Sequence, residues 1–377
     1  METTKKKNVI VAALIICLAG VLGLFVACSS PQTTPNDQET KEQTELATTQ
    51  TVVDDAGREV TLPAAHLLET IYYTGSPGQI FCFTLAPELA GGSAIEFNET
   101  DLEYLPAGTG DLPYLGTLSG GKELNPEAIM AANIQVIFSV STQKPGEKDV
   151  SDANDLQNMT NIPIVVLDGS LENSGTTYRK LGEILGKEAE AERLATYCET
   201  ILKDVEKAVA TIPESERIGV YYAEGPEGLQ TEPEESSHAI SFKIAGAKNV
   251  ADVGATPGKG MSPVSLEQVL AWNPEVIIAW DDVLRGGADE LIRTNSNWST
   301  IKAVQNGRVY TMPNVPFAWC DRPPSVNRFL GIQWIAHTLY PDVYDIDMAA
   351  TTKEFYKTFY HCDLTDAQVE KLLEGSI

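Results

Sequence analysis

The 377-residue sequence has few basic residues, few histidines and few cysteines. Its 27 Lys and Arg stand against 53 Asp and Glu, and the formal charge of -26 argues against binding to nucleic acid or to anionic lipid headgroups. Six Cys without a CxxC pair argue against a disulfide scaffold and against a zinc site of paired thiolates. The four His do not cluster along the chain, so no metal-binding motif is visible.

Enzyme signatures are also missing. The stretch from Gly116 to Lys122 follows the phosphate-binding loop pattern only until Glu123, where a Ser or Thr would have to bind Mg²⁺. The sequence has neither a GxSxG nucleophile turn nor an HExxH zinc motif. These absences predict a protein that is not an enzyme. The composition, with 43% apolar residues, is typical of a globular chain of two or three domains.

The first 27 residues have the anatomy of an export signal. Three Lys at positions 5–7 precede an apolar run over residues 9–27, and Cys28 follows directly. This order predicts a bacterial lipoprotein signal peptide (1–27) that is removed, so that the lipidated Cys28 anchors the protein to the extracytoplasmic face of the cell membrane. The alternative is an uncleaved membrane-spanning helix, because a run of 19 apolar residues can cross a bilayer.

Residues 28–50 are predicted to form a disordered tether between the lipid and the folded protein. Residues 29–50 contain one Leu and no aromatic residue, so they cannot build an apolar core. Membrane contact is therefore expected through the lipid anchor alone. Beyond the tether the chain has four Cys in an oxidising compartment, and the sequence leaves their pairing open: Cys82, Cys198, Cys320 and Cys362.

The body of the chain repeats itself at an offset of 140 residues. Residues 124–140 (LNPEAIMAANIQVIFSV) match residues 264–280 (VSLEQVLAWNPEVIIAW). Each copy opens with a helix N-cap, Asn125 or Ser265, and closes with an apolar run typical of a strand buried in a parallel sheet. The repeat predicts an α/β fold of two lobes with mainly parallel sheets, an N-terminal lobe over residues 51–172 and a C-terminal lobe over residues 214–377.

Residues 173–213 are predicted to connect the two lobes as one long, rigid helix. From Thr176 to Ile212 there is no Pro, and apolar residues recur at three- and four-residue steps. Two helices broken near Gly186 are the alternative reading of the same pattern.

Ligands of open α/β sheets bind beyond the carboxyl ends of the strands. In this sequence those ends lead into Gly/Pro-rich loops in both lobes and into the late loop 313–324 (PNVPFAWCDRPP). The candidate ligand-binding residues there are Tyr73, Ser76, Tyr222, Glu224, His238, Trp280, Trp319 and Arg322.

Each candidate also has a structural interpretation. Tyr73, Tyr222 and Trp280 are placed where they could pack in the core, and Arg322 could pair with the adjacent Asp321. A lone His238 is more often structural than a metal ligand.

Five segments carry a family likeness, and their order along the chain is specific. The chain resembles the class III solute-binding proteins of ATP-driven (ABC) importers, the group that takes up siderophore-bound iron, haem and cobalamin. The resemblance implies two α/β lobes joined by one long helix, no catalysis, and partnership with an ABC permease dimer and its ATPase. It rests on TVVDDAGREVTLP, on the helix starts NPEAI and SLEQV, on SSHAISFKIAGAKNVAD, on WSTIKAVQNGRVYTMP and on DRPPSVNRFLGIQWIAHTLYPD.

The resemblance implies a small-molecule metal chelate as ligand, namely an iron complex (siderophore or haem) or cobalamin, carried between the lobes, with no cofactor of the protein's own. Molybdate or tungstate, which related proteins of this class bind, stays open. A surface adhesion or scaffold module that lost transport is the alternative from another functional class.

Glu127 and Glu267 occupy the same position in the two copies of the repeat. Each is predicted in the first turn of a helix, where the helix dipole by itself favours a carboxylate. In the resembled family, one surface Glu of each lobe docks onto Arg residues of the permease dimer. The resemblance therefore implies that Glu127 and Glu267 are the permease-docking residues.

Overall fold

The computed structural model describes residues 47–118, 123–254, 260–281 and 286–376. The predicted signal peptide (1–27), the lipidation site Cys28 and the tether up to residue 46 lie outside the described residues. Among the residues that are described, no helix has both the length and the apolar composition that a membrane crossing requires.

The described residues form eleven strands and thirteen α-helices. The strands are β1 (Thr49–Val53), β2 (Glu59–Pro63), β3 (Ile71–Tyr73), β4 (Val136–Ser141), β5 (Ile164–Asp168), β6 (Gly219–Ala223), β7 (Gln230–Thr231), β8 (Lys248–Asn249), β9 (Ser262–Pro263), β10 (Val276–Ala279) and β11 (Val309–Thr311).

The helices alternate with these strands over most of the chain. They are α1 (Ser76–Leu85), α2 (Glu99–Leu102), α3 (Pro126–Ala131), α4 (Glu147–Thr160), α5 (Ser174–Leu185), α6 (Glu188–Val209), α7 (Ile240–Ile244), α8 (Leu266–Trp272), α9 (Asp289–Thr294), α10 (Lys302–Gln305), α11 (Asn327–Leu339), α12 (Met348–Tyr360) and α13 (Asp366–Leu373).

Each lobe is built on its own parallel sheet. In the N-terminal lobe the strands lie in the order β3–β4–β5, and in the C-terminal lobe in the order β11–β10–β6–β8. The strands β4 and β10 are the strand parts of the two copies of the repeat. Asn125 caps α3 by accepting from the Ala128 amide, and Ser265 caps α8 by accepting from the Gln268 amide. The prediction of two α/β lobes with mainly parallel sheets is confirmed.

The N-terminal lobe opens with a hairpin of β1 and β2 that starts earlier than the sequence analysis predicted. β1 begins at Thr49, inside the segment assigned to the tether, because Thr49 pairs with Pro63. The Gln50 side-chain amide extends this anchorage by donating to the carbonyl oxygens of Pro63 (3.0 Å) and Ile184 (2.9 Å). The folded lobe therefore includes residues 49 and 50.

The connection between the lobes contains two helices rather than one helix over residues 173–213. Helix α5 ends at Gly186, whose φ of +67° is in the left-handed region that suits glycine. α6 then runs back along α5, since Arg179 of α5 binds both Glu192 (2.7 Å) and Glu199 (2.5 Å) of α6. The alternative reading of a break near Gly186 is confirmed, and the 22-residue α6 is the single long link.

One apolar core extends through both lobes. α12, which the sequence assigned to the C-terminal lobe, packs on α1 of the N-terminal lobe and on the two connecting helices. Its Phe359 ring lies 6.3 Å from Tyr178 of α5 and 5.2 Å from Tyr197 of α6. All four Cys among the described residues are free thiols, three of them buried.

Candidate ligand-binding site

Four of the predicted site residues meet at the carboxyl edge of the C-terminal sheet. Tyr222 of β6 pairs with Ile278 of β10, which places Glu224 and Trp280 side by side just beyond the strand ends. The Trp280 indole Nε1 donates to the Tyr222 hydroxyl (2.8 Å), and the Arg322 guanidinium lies 5.9 Å from the centre of the Trp280 ring. The parallel register of β6 and β10 therefore brings these side chains together.

Arg322 is the centre of a buried group of charges that we call the Arg322 cluster, formed by Glu224, Glu232, His238, Asp321 and Arg322. Its Nε donates to Glu224 Oε1 (3.0 Å) and its Nη2 to Glu232 Oε1 (2.5 Å). Asp321 Oδ2 lies 3.4 Å from Arg322 Nε and 2.7 Å from His238 Nδ1. All three carboxylates are 0% exposed. The Arg322 guanidinium is thus already paired inside the protein, and the local pairing with Asp321 is one part of a larger network.

The backbone around the cluster is held in conformations that few residues adopt. Arg322 has a φ of +55°, in the left-handed region that non-glycine residues seldom occupy. Gly260 has a φ of +57°, and a Cβ on it would lie 2.2 Å from Glu232 Oε1 and 2.6 Å from Arg322 Nη2. The next residue, Met261, donates its amide N–H to Glu232 Oε1 (2.7 Å). Close approach of the backbone to the carboxylate therefore requires glycine at position 260.

Protonation of the cluster follows from its burial. Burial raises the pKa of the Glu224 carboxyl to about 8, although the Arg322 charge acts in the opposite direction. The hydrogen bond to Asp321 raises the pKa of His238 above its ordinary value. At neutral pH the Glu224 carboxyl therefore keeps its proton, which removes one negative charge from the cluster.

Two carboxylate oxygens of the cluster have no hydrogen-bond partner among the described residues. They are Glu224 Oε2 and Asp321 Oδ1, and both are shielded from solvent. A buried carboxylate oxygen without a donor is costly unless the group is protonated or neutralised.

A cavity of about 420 Å³ lies between the two lobes, next to the cluster. The N-terminal lobe contributes residues that follow β4 and β5, and the C-terminal lobe contributes residues around α7 and the start of α11. The floor is buried and includes Ser170, Leu171 and Arg328. The exposed charges belong to the rim: Lys144, Glu172, Glu234, Glu235 and Lys243.

Arg328 is a candidate site residue that the sequence analysis did not name. Its side chain is buried, with the residue only 3% exposed, yet within the described parts of the chain no carboxylate lies within 4.0 Å of its guanidinium. Its Nε donates weakly to the Ser325 carbonyl oxygen (3.4 Å). Burial lowers the pKa of Arg328 to about 10, against the opposing charges of Asp321 and Glu172. At neutral pH the floor of the cavity therefore carries a positive charge without an ion-pair partner.

A guanidinium in this position can bind an anion. Its planar fork of N–H donors matches the oxygens of a carboxylate, phosphate or other oxyanion. In the sequence, Arg328 is one polar residue in the first turn of a helix. The only available signal was its place six residues after Arg322 in the late cleft loop.

Two predicted ligand contacts are core residues instead. Trp319 is 0% exposed, lies edge-on to Trp334 with ring centres 6.5 Å apart, and directs its Nε1 at the Tyr356 hydroxyl (3.4 Å). Tyr73 is also 0% exposed and stacks on Phe138 at 4.9 Å. Neither offers surface to a ligand here, because both rings point into the apolar core. Burial favours the packing interpretation for both residues, and ligand contact by Tyr73 or Trp319 stays a prediction.

The other predicted residues occupy different environments. Ser76 is half-buried at the first residue of α1. His238 is bound to Asp321 within the cluster. The described residues contain no group of three or more His, Cys, Asp and Glu that is arranged to hold a metal ion.

Glu127 and Glu267 are exposed residues in the first turns of α3 and α8. Neither forms an ion pair with another described residue. Both carboxylates are therefore accessible to a partner.

A family model and a solved structure both show similarity to binding proteins of this kind of fold. Residues 150–316 match the family model described as periplasmic binding protein. An ABC transporter solute binding protein from Sulfurospirillum deleyianum is 32% identical, with a TM-score of 0.77 over 86% of this chain and 99% of that one.

Two curated relatives are more distant. The molybdate-binding protein MolA of Haemophilus influenzae is 28% identical over 264 residues, which is 63% of this chain and 70% of MolA. The ABC transporter substrate-binding lipoprotein YvrC of Bacillus subtilis is 25% identical over 170 residues, or 44% of this chain and 49% of YvrC.

Proposed function

Because this chain belongs to the periplasmic binding proteins, as a class III solute-binding component of an ABC importer, we propose that it captures a compact oxyanion between its two lobes. It then delivers the anion to the permease, whose ATPase drives uptake. The ligand class that the cavity fits best is the tetrahedral oxyanion of molybdate or tungstate.

The observation that carries this proposal is the buried Arg328 on the floor of the cavity, which has no ion-pair partner among the described residues. Burying a charge without a counter-charge is expensive, so buried charges are normally paired. An anion of the right size would supply the missing partner and accept hydrogen bonds from the guanidinium fork. The exposed charges of the rim contribute less to anion binding, since exposed charges are screened by solvent and salt.

The chemistry of the remaining walls favours a polar ligand. The described residues that line the cavity bring hydroxyl, amide and charged groups together with the apolar Leu171 and Ile240, and none of them is aromatic. Haem and cobalamin are large ligands whose flat faces are usually held by apolar and aromatic side chains. A cavity of about 420 Å³ without an aromatic side chain among its described lining residues suits them poorly. An iron-siderophore complex, haem and cobalamin therefore become the alternatives to the oxyanion.

The relative MolA, named as a molybdate-binding protein, supports the choice of molybdate as the first probe. A thermal-shift screen should cover molybdate, tungstate, sulfate, a ferric siderophore, haem and cobalamin. A ligand present at about 100 times its Kd stabilises a protein by about 2.7 kcal/mol, which is readily measured. Stabilisation by molybdate or tungstate supports the proposal, and stabilisation by the siderophore or haem alone rejects it.

Two further proposals concern the position of the protein in the transport complex. Lipidation of Cys28 would hold it at the outer face of the membrane, in line with the lipoprotein relative YvrC. Glu127 and Glu267, one on each lobe and both exposed, would dock onto basic residues of the two permease subunits.

A further inference from the structure

We propose that the Arg322 cluster tunes the anion site, so that anion binding at Arg328 takes up protons and weakens as the pH rises. This inference rests on the proposed anion-binding function and adds to it a means of regulation. Asp321 is the positioning residue that joins the cluster to the cavity.

The cluster and the cavity share the same two segments of the C-terminal lobe. One wall of the cavity is formed by residues around 234–243, and His238 lies within that stretch. Arg328 is the second residue of α11, the helix that follows Asp321 and Arg322. The contact between His238 Nδ1 and Asp321 Oδ2 (2.7 Å) therefore ties the first segment to the second.

The charge of Asp321 also reaches the anion site directly. Its carboxylate is 0% exposed, and it acts on the buried guanidinium of Arg328 by raising the pKa that burial lowers. Between buried groups such an interaction is screened much less than at the surface. Any change in the net charge around Asp321 therefore changes the electrostatic interaction with an anion bound at Arg328.

The number of protons in the cluster decides that net charge. Facing Glu224 from other segments are Arg322, Asp321 and Glu232, while Tyr221 and Tyr222 of its own strand are neutral. Facing His238 are Asp321, Arg322 and Glu232. Loss of the proton from Glu224 adds one negative charge to the cluster, and loss of a proton from His238 removes one positive charge.

The sign of the effect follows. Because burial raises the pKa of Glu224 to about 8, this carboxyl loses its proton only in mildly alkaline solution. Each proton lost from the cluster adds a negative charge beside the site and repels the bound anion. By linkage, the anion must then favour the protonated cluster. We expect the Kd for molybdate to rise about five- to tenfold between about pH 6.5 and about pH 9, within the usual range of coupling between sites.

The test is calorimetric titration of the full chain with molybdate, which remains a dianion across this pH range. It is repeated in two buffers of different ionisation enthalpy, so that proton uptake is measured on the parent protein itself. Glu224→Gln, which imitates the protonated acid, should lose most of the pH dependence. Glu183→Gln, an exposed residue of α5, is the matched control and should retain it.

His238→Gln provides a second variant, since its half-buried position makes folding less sensitive to the change. It should reduce the pH dependence in part, and circular dichroism confirms that each variant is folded. A parent Kd that stays constant within about twofold, without proton uptake, overturns this inference while leaving anion binding intact. Absence of molybdate binding at every pH overturns both this inference and the proposed function.

Discussion

His238 and Asp321, 83 positions apart in the sequence, form a 2.7 Å contact that joins two segments of the C-terminal lobe, each of which contributes residues to the inter-lobe cavity. The same Asp321 carboxylate lies 3.4 Å from Arg322 Nε. One carboxylate thus connects a titratable imidazole, a paired guanidinium and, through its charge, the unpaired Arg328. This arrangement distinguishes the cleft of this protein and leads to specific predictions.

Removing the Asp321 charge should destabilise the C-terminal lobe. Asp321→Asn leaves His238 without its buried partner and removes one of the three carboxylates beside Arg322, and loss of one partner of a buried pair costs about 3–5 kcal/mol. Urea unfolding measures the change in the free energy of unfolding. Asp363→Asn, which breaks the exposed pair with Lys357, is the control and should behave like the parent. An equal effect of both substitutions would contradict the role of the buried network.

Stability should fall as the solution becomes alkaline. The pKa of Glu224 is raised in the folded state from 4.5 to about 8, so its contribution to stability is complete below 4.5 and is lost as the pH rises through 8. His238, whose pKa is also raised, acts in the same direction from its ordinary value of 6.5 upward. Thermal unfolding of the parent and of Glu224→Gln across this range checks the sign. The variant should show the flatter profile, and a parent whose Tm rises over the window would refute the assignment.

Gly260→Ala should disturb the cluster by direct collision. The new Cβ would lie 2.2 Å from Glu232 Oε1, in addition to the cost of a φ of +57°. Gly307→Ala is a control with a similar φ of +66° and no atom within 4 Å of the new Cβ. We expect the control to lose about 1 kcal/mol of stability and Gly260→Ala to lose more, together with anion affinity. Equal losses would show that the contact with Glu232 is readily relieved.

Trp319 should matter for stability and not for ligand binding. Replacing a fully buried aromatic ring by a smaller side chain removes packing and leaves a cavity, so Trp319→Leu should cost about 2–4 kcal/mol of unfolding free energy. The folded variant should bind molybdate with a Kd close to that of the parent. Calorimetry on the folded variant tests this, and a large loss of affinity would restore Trp319 to the ligand site.

Docking onto the permease should depend on Glu127 and Glu267 together. Exposed ion pairs contribute little one at a time, so Glu127→Ala or Glu267→Ala alone should reduce uptake partially and the double variant should nearly abolish it. Ligand affinity should not change. A double variant of Glu183 and Glu370, both exposed, controls for loss of surface charge. Normal uptake by the Glu127/Glu267 double variant would leave these residues as helix-dipole partners only.

The sequence was most informative where local rules apply. The repeated N-caps Asn125 and Ser265, each followed by an apolar run, predicted the two central strands of the sheets. The strand ends then predicted that Tyr222, Glu224, Trp280 and Arg322 come together. These predictions succeeded because capping, buried strand patterns and the carboxyl edge of a parallel sheet follow from chain geometry.

These local rules do not predict contacts between side chains that lie far apart in the sequence. Glu224 and Glu232, which pair with Arg322, stand 98 and 90 positions before it in the sequence. The residues adjacent to Arg322 therefore do not indicate that its guanidinium is already paired. Trp319 and Arg328 lie nine residues apart, and only the packing of α11 and α12 decides that the tryptophan faces the core and the arginine faces the cavity. Burial of a charged side chain leaves no mark on helical periodicity, and this is why Arg328 escaped notice.

The central claim is that Arg328 holds an anion between the lobes, and calorimetric titration with molybdate at neutral pH tests it most directly. The parent should bind one molybdate per chain. Arg328→Gln should weaken binding by about 30-fold or more, because loss of one partner of a buried charge pair costs about 2–5 kcal/mol. Arg308→Lys, ahead of β11 at the opposite edge of the sheet, should bind like the parent. A folded Arg328→Gln protein with the parent's affinity would contradict the account.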